Sequence, residues 1–286
     1  MTLVAATNAR TGIDPTDAVL VDPVWLAAHL RDPGVRVVEV DVNPNAFNDG
    51  HIEGAVLWNI YRDLKTPEYQ LVGPATIHEL FTTSGIAADS TVVFYGYAPA
   101  FGFWLMKLFR HADVRILDCS RESWRDAGGQ WSDQAPNQLA SEYTLPAAQE
   151  AIRASRSAAR AAIVDPATTI LDVRTLAEFR GDQFWPSGAL EPGGRAGHIP
   201  SAVHLPIEHI FVDERGAFRT QDELALAFDQ ARLAGDAELI TYCTIGARAC
   251  TAWFVLTYLL GRDHVRVYDG SWAEWGRAAE SPVESS

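Results

Sequence analysis

The chain has 286 residues, 48% hydrophobic and 21% charged, with 37 acidic against 23 basic side chains for a net charge of −14. At roughly one domain per 100 to 200 residues this is enough chain for two domains, each with its own core, and the composition argues against a disordered or fibrous protein. So acidic a surface repels phosphate backbones and anionic lipid, so neither nucleic acid nor a membrane is expected as a partner; a small anion held in a local pocket remains compatible.

From the start of the chain, Met1 to Pro15 holds one arginine and no apolar run of signal-peptide length, so no targeting segment is expected. The three cysteines, Cys119, Cys243 and Cys250, do not form a secreted disulfide framework and point to a reducing cytoplasm. The apolar stretches at 101–109 and 252–260 fall short of the roughly 20 residues of a membrane span.

The first strand-like run is Val37 to Asp41, followed by Gly50-His51-Ile52-Glu53-Gly54-Ala55. A second strand, Val92 to Gly96, leads into an apolar helix containing Trp104, and a third, Val114 to Ser120, precedes Trp124. All four blocks recur in the same order. Thr169 to Val173 matches the first, Gly197-His198-Ile199-Pro200-Ser201-Ala202 the second, Leu239 to Cys243 with Trp253 the third, and Val265 to Ser271 with Trp275 the fourth. The second and third blocks return 147 residues later and the fourth 151, so the halves share one plan, and the chain reads as a duplicated domain. Between them, Ala127 to Gln149 is rich in Gly, Gln, Asn, Ser and Pro and reads as a linker; the expected division is 18–130, a linker at 131–148, and 149–280. Short β-branched runs alternating with longer amphipathic ones predict α/β architecture, each domain a mainly parallel sheet flanked by helices.

Chemistry concentrates in the third block of the second half. Cys243 stands between a buried strand and a helix running to Leu260 and stopped by Gly261, where backbone N–H groups and the positive end of the helix dipole favour a thiolate. Gly246 frees the backbone to turn the amides of Thr244, Ile245 and Ala247 inward, and Arg248 places a permanent charge at the rim. The matching position of the first half is Gly96, with no cysteine or arginine after it; a structural requirement would recur in both copies, a catalytic one need not. His51 and His198, present in both, are therefore read as structural, and Cys119 and Cys250 as packing residues, with Cys250 alternatively able to resolve an oxidised Cys243. No CxxC or HxxxH spacing occurs, so neither a metal nor another cofactor is expected.

Together, the tandem Gly-His-Ile-x-x-Ala blocks, Leu171-Asp172-Val173-Arg174, the Cys243 loop and Tyr268-Asp269-Gly270-Ser271-Trp272 resemble a two-domain rhodanese, a thiosulfate sulfurtransferase, over about Val21 to Arg277. The resemblance implies two rhodanese-like domains, the first catalytically inert. It also implies double displacement: Cys243 takes a sulfane sulfur from a small anionic donor, as a persulfide, and passes it to a thiophilic acceptor such as cyanide. Thr244 and Ile245 carry neither the basic residues of thiosulfate-specific loops nor the serine of mercaptopyruvate-specific ones, and the loss of that serine favours thiosulfate over 3-mercaptopyruvate. Further donor contacts are expected from Arg174, Arg180 and Arg195: family members carry an arginine four residues after the strand-end arginine, whereas this chain has Glu178. For Arg174 a structural ion pair is an equal reading. Two other functions stand beside this one: a phosphatase, disfavoured because only four residues separate Cys243 from Arg248, and a persulfide carrier serving a protein acceptor.

Overall fold

The computed structural model describes residues 19–207, 211–231, 233 and 237–285; the N-terminal stretch considered for targeting, and the expected domain start at 18, lie outside them. The chain divides into two compact units. One takes the chain up to Leu64, Val72–Ala147 and Glu214–Phe218; the other takes Lys65–Leu71, Ala148–Asp213 and the chain from Arg219 onward.

The first unit runs β1 (Leu20–Val21), α1 (Pro23–His29), β2 (Val35–Asp41), α2 (Asn45–Asp49), β3 (His51–Ile52), β4 (Val56–Asn59), α3 (Pro74–Thr83), β5 (Thr91–Gly96), α4 (Pro99–Leu108), β6 (Val114–Leu117), α5 (Arg121–Asp126) and β7 (Trp131–Ser132). Its main sheet has the order β1-β6-β5-β2-β4, every pair parallel, and β3 pairs antiparallel with β7. Central strands covered on both faces explain the unbroken apolar run Val92 to Tyr95, all fully buried. Helix α1 begins where Asp22 Oδ1 accepts from the Trp25 amide at 2.7 Å and Pro23 fixes the first turn.

The second unit runs α6 (Arg156–Ala162), β8 (Thr168–Asp172), α7 (Leu176–Arg180), β9 (Val203–His204), α8 (Gln221–Gln230), β10 (Glu238–Tyr242), α9 (Ala247–Phe254), β11 (Val265–Val267) and α10 (Ser271–Trp275). Its sheet, β11-β10-β8-β9, is parallel throughout. After α9 a π-helical turn, Val255–Leu259, carries the chain to Gly261, whose φ of +70° ends the helix. Trp253, Trp272 and Trp275 are buried in this unit, as Trp58, Trp104 and Trp124 are in the first.

Both units are mainly parallel α/β, as the alternation of patterns predicts. Three particulars differ. Strand pairing sets Glu39 opposite Tyr95 and Asp172 opposite Tyr242, so Glu39 is the counterpart of Asp172; the first repeated block is displaced by one residue from the match of Val37 with Thr169. The expected linker packs on the first unit: Tyr143 is buried and its hydroxyl lies 3.0 Å from His111 Nδ1, while Gln138 Nε2 donates to Gly54 O at 2.9 Å. Finally, the units are not contiguous in sequence, because 65–71 and 214–218 each belong with the opposite half. Among the described residues, no helix is long and apolar enough to cross a membrane.

Candidate active site

Cys243 follows directly on β10, at the carboxyl end of a central strand, where parallel sheets bind ligands. Its Sγ accepts a hydrogen bond from the Gly246 amide at 3.1 Å. Gly246 reaches that position with φ +95° and ψ −20°, a left-handed conformation costly for any residue with a Cβ. From there α9 starts, its amino end beside the sulfur.

A second segment clamps the loop. The Cys243 amide donates to Ser271 Oγ at 3.1 Å, and the Ser271 hydroxyl donates to Tyr268 O at 2.8 Å. The Cys243 and Thr244 carbonyls accept from the Trp272 and Ala273 amides at 2.9 and 2.8 Å. The loop's polar backbone is thereby satisfied from outside it, as a buried turn requires. Cys243, Thr244, Ile245 and Ala247 are all buried, so Ile245 contributes apolar wall rather than a polar contact.

Glu178, fully buried in α7, fastens the loop's cation. Arg248 donates to it from Nη1 at 2.9 Å and Nη2 at 2.8 Å, and Nη2 reaches Thr244 Oγ1 at 2.6 Å. The Thr244 hydroxyl in turn donates to Glu178 Oε1. Burial pushes the Glu178 carboxyl upward, but the Arg248 hydrogen bonds and charge outweigh it and hold the group below its ordinary value. The same carboxylate accepts from the Thr175 amide at 3.1 Å, closing the capping box that starts α7.

The other predicted cations are engaged by groups other than Glu178's carboxylate oxygens or are exposed. Arg174 is a fully buried ion pair: Nη2 donates to Asp172 Oδ2 at 2.6 Å and to Gly197 O at 2.7 Å, and the guanidinium lies 4.6 Å from the Trp272 ring centroid. Burial opposes its charge, and the Asp172 carboxylate more than restores it. Of its nitrogens, Nη1 has no hydrogen-bond partner among the described residues. Arg195 departs from the expected donor contact, because Nε, Nη1 and Nη2 donate to the carbonyls of Gly276, Ser281 and Ala278 and pin the C-terminal segment. Arg180 is exposed at the end of α7, with no ion-pair partner among the described residues.

Cys250 is fully buried, and burial first, then the neighbouring Cys243 sulfur, pushes its thiol well up, which fits packing better than disulfide exchange. Burial also pushes Cys119 up to about 12.

Three residues near the loop escape sequence reasoning. Ser271 sits inside a repeated block yet gives no sign of its role as acceptor for the Cys243 amide. Lys65 and Asp269 meet across 204 positions: Lys65 Nζ donates to Asp269 O at 2.7 Å and lies 3.7 Å from Oδ2, while Arg153 Nε reaches Oδ1 at 2.8 Å. No local pattern reveals such a pair. Burial lowers the Lys65 ammonium's affinity for its proton, opposed by Asp269.

In the first unit, Gly96 occupies the position of Cys243 with φ +103°, and a Cβ there would lie 2.8 Å from Glu39 Cγ and 3.1 Å from Val40 O. A Cβ at this position of the first copy therefore requires Glu39 to shift. What the copies do share is scaffolding. The ring nitrogens Nδ1 of His51 and His198 donate to Phe47 O at 2.9 Å and Phe179 O at 2.7 Å, and the two rings stack on those phenylalanines at 3.9 and 3.8 Å between centroids. Tyr95 and Tyr242 accept from the Ile52 and Ile199 amides, both at 3.1 Å.

Known proteins share this plan. The family model described as Rhodanese-like domain matches residues 22–127 and 155–278. The protein named "Putative thiosulfate sulfurtransferase SseA" from Mycobacterium bovis is 39% identical over 271 residues, covering 92% of this chain and 90% of its own. "Sulfur carrier protein TtuD" of Thermus thermophilus is 35% identical over 274 residues, covering 93% and 96%. Among solved structures, YnjE matches with a TM-score of 0.81 at 24% identity, covering 93% of this chain and 68% of its own. A persulfide form of EanB with ergothioneine matches with a TM-score of 0.82 at 23% identity, covering 93% and 70%. These two show a shared fold.

Proposed function

The chain belongs to the rhodanese family, with two rhodanese-like domains in tandem, and from that premise we propose that it is a sulfurtransferase acting through a persulfide on Cys243. The observation that carries the reading is the sulfur of Cys243 held by the Gly246 amide at 3.1 Å, at the strand-to-helix turn of the second unit. With thiosulfate as donor, the Cys243 thiolate attacks the outer sulfur, the S–S bond breaks, and sulfite leaves with the electron pair. The terminal persulfide sulfur is then attacked by a thiophilic acceptor such as cyanide, thiocyanate departs, and the thiolate is regenerated. Neither half-reaction needs a metal or redox cofactor. The loop amide that faces the resting sulfur also lies next to the charge of the intermediate, in a buried setting where a fixed dipole acts strongly.

Names of relatives support a thiosulfate-type donor, and one of them supports a second reading. TtuD is called a sulfur carrier, so a persulfide on Cys243 awaiting a protein acceptor fits the same geometry. Thiocyanate formation from cyanide, with thiosulfate and 3-mercaptopyruvate compared and Cys243→Ser as control, tests both. Multiple turnover identifies a transferase for small acceptors; one sulfur loaded and retained identifies a carrier. No loading from a folded protein contradicts both.

A further inference from the structure

The loop of this chain contains its cation already neutralised. Both Nη atoms of Arg248 are spent on Glu178, at 2.9 and 2.8 Å, and one is shared with Thr244. Glu178 is fully buried and the Arg248 side chain is only 12% exposed, so the pair is a partly desolvated unit rather than a surface ion pair. An incoming dianion that took Arg248 for itself would strand a buried carboxylate, which is among the costliest changes a protein interior can undergo. Among the described residues, the other predicted cations are largely neutralised, held or exposed as well, with only Arg174 Nη1 left as a buried donor without a partner. Arg174 faces Asp172, Lys65 and Arg153 share Asp269, and Arg195 caps carbonyls. Arg180 is exposed, where water screens its charge.

On this basis, and resting on the proposed Cys243 chemistry, we propose that Glu178 is a positioning residue that sets donor charge: by holding Arg248 it makes the loop prefer an organic hydropersulfide, R–S–SH, whose reacting group is uncharged, to the thiosulfate dianion. The chemistry of such a donor suits the site. The Cys243 thiolate attacks the outer sulfur of R–S–SH, the S–S bond breaks, the thiolate R–S⁻ leaves with the electron pair, and the proton stays on the transferred sulfur. As with thiosulfate, no proton donor is required, in keeping with the Thr244 hydroxyl giving its hydrogen to Glu178. Thiosulfate still reacts, but saturates the protein only at higher concentration.

The test compares cysteine hydropersulfide with thiosulfate as donors to the full-length protein, following persulfide on Cys243 by mass spectrometry and KM and kcat for each donor separately. The wild type is expected to show the lower KM for the hydropersulfide. In Glu178→Gln, which removes the charge at constant size, KM for thiosulfate should fall on the order of tenfold, the worth of one charge-assisted hydrogen bond, with the hydropersulfide KM little changed. Glu178→Asp keeps the charge and should keep the wild-type preference, whereas a merely structural role would move both variants alike. A wild type that binds thiosulfate more tightly overturns the inference even if Glu178→Gln fails to fold. Equal shifts for both donors in Glu178→Gln overturn it as well. If neither donor loads Cys243, the proposed function itself falls, and the inference with it.

Discussion

The amide of Cys243 donates to Oγ of Ser271 at 3.1 Å, and Ser271 holds that place with a positive φ of 52°. A residue other than glycine accepts such a conformation only where its surroundings fix it, so the strain here is tied to the cysteine loop. Ser271→Ala should leave the buried Cys243 amide unsatisfied at a cost of about 1–3 kcal/mol while keeping the backbone strain. Ser271→Gly, relieved of that strain, should be the less destabilised of the two. Urea denaturation of both variants checks this order, and a Ser271→Ala protein as stable as the wild type would contradict it.

Gly246 turns the chain so that its amide faces Sγ, at φ +95°. Gly246→Ala is expected to cost about 1–2 kcal/mol from the left-handed conformation alone. Sulfur transfer should suffer far more than stability, because any relaxation of φ swings the amide away from the sulfur. Parallel melting curves and turnover rates separate the two effects.

At Gly96, the position in the first unit that matches Cys243, a Cβ would lie 2.8 Å from Glu39 Cγ. Gly96→Cys in a Cys243→Ser background should therefore be destabilised and should carry no persulfide after donor treatment. Sulfur loaded on the introduced thiol of a stable protein would show that the first unit lacks only the nucleophile.

Glu178 is held below its ordinary carboxyl value, 4.5, by Arg248 despite burial. A carboxyl whose folded value is depressed contributes stability that is complete above the unfolded value and is lost as pH falls through the folded one. The stability gap between wild type and Glu178→Gln should thus be widest near neutrality and close progressively below about pH 4.5. Chemical denaturation across that range measures the gap; one that grows toward acid would reverse the assignment.

Much of this was legible in the sequence for a physical reason. A duplicated α/β unit repeats its scaffold residues at fixed spacing, so His51 with His198 and Tyr95 with Tyr242 announce themselves, and each pair makes matching hydrogen bonds. The position of Cys243 followed from strand and helix signals that are local. Its neighbours were less visible. Pattern alone could not distinguish a donor-binding Arg248 from one clamped by Glu178, because Thr175-Leu176-Ala177-Glu178 reads equally well as an ordinary capping box, and in fact Glu178 serves both ends.

Long-range partners were out of reach for the same reason. Lys65 lies 204 positions from Asp269, in a short segment that folds with the opposite half of the chain, and nothing in its own neighbourhood signals that destination. Arg195, in a glycine-rich stretch, looked available to a ligand; only the structure shows its nitrogens on the carbonyls of Gly276, Ser281 and Ala278. The one-residue displacement between Glu39 and Asp172 emerges from strand register, which repeated hydrophobic runs do not fix by themselves.

The central claim is that sulfur passes through Cys243, and intact-mass analysis with peptide mapping tests it most directly. Incubated with thiosulfate or cysteine hydropersulfide, the wild type should gain the mass of one sulfur atom on the peptide containing Cys243 and lose it on addition of cyanide, and Cys243→Ser should gain nothing. Sulfur retained by the Cys243→Ser protein, or found on Cys119 or Cys250 instead, would contradict the account.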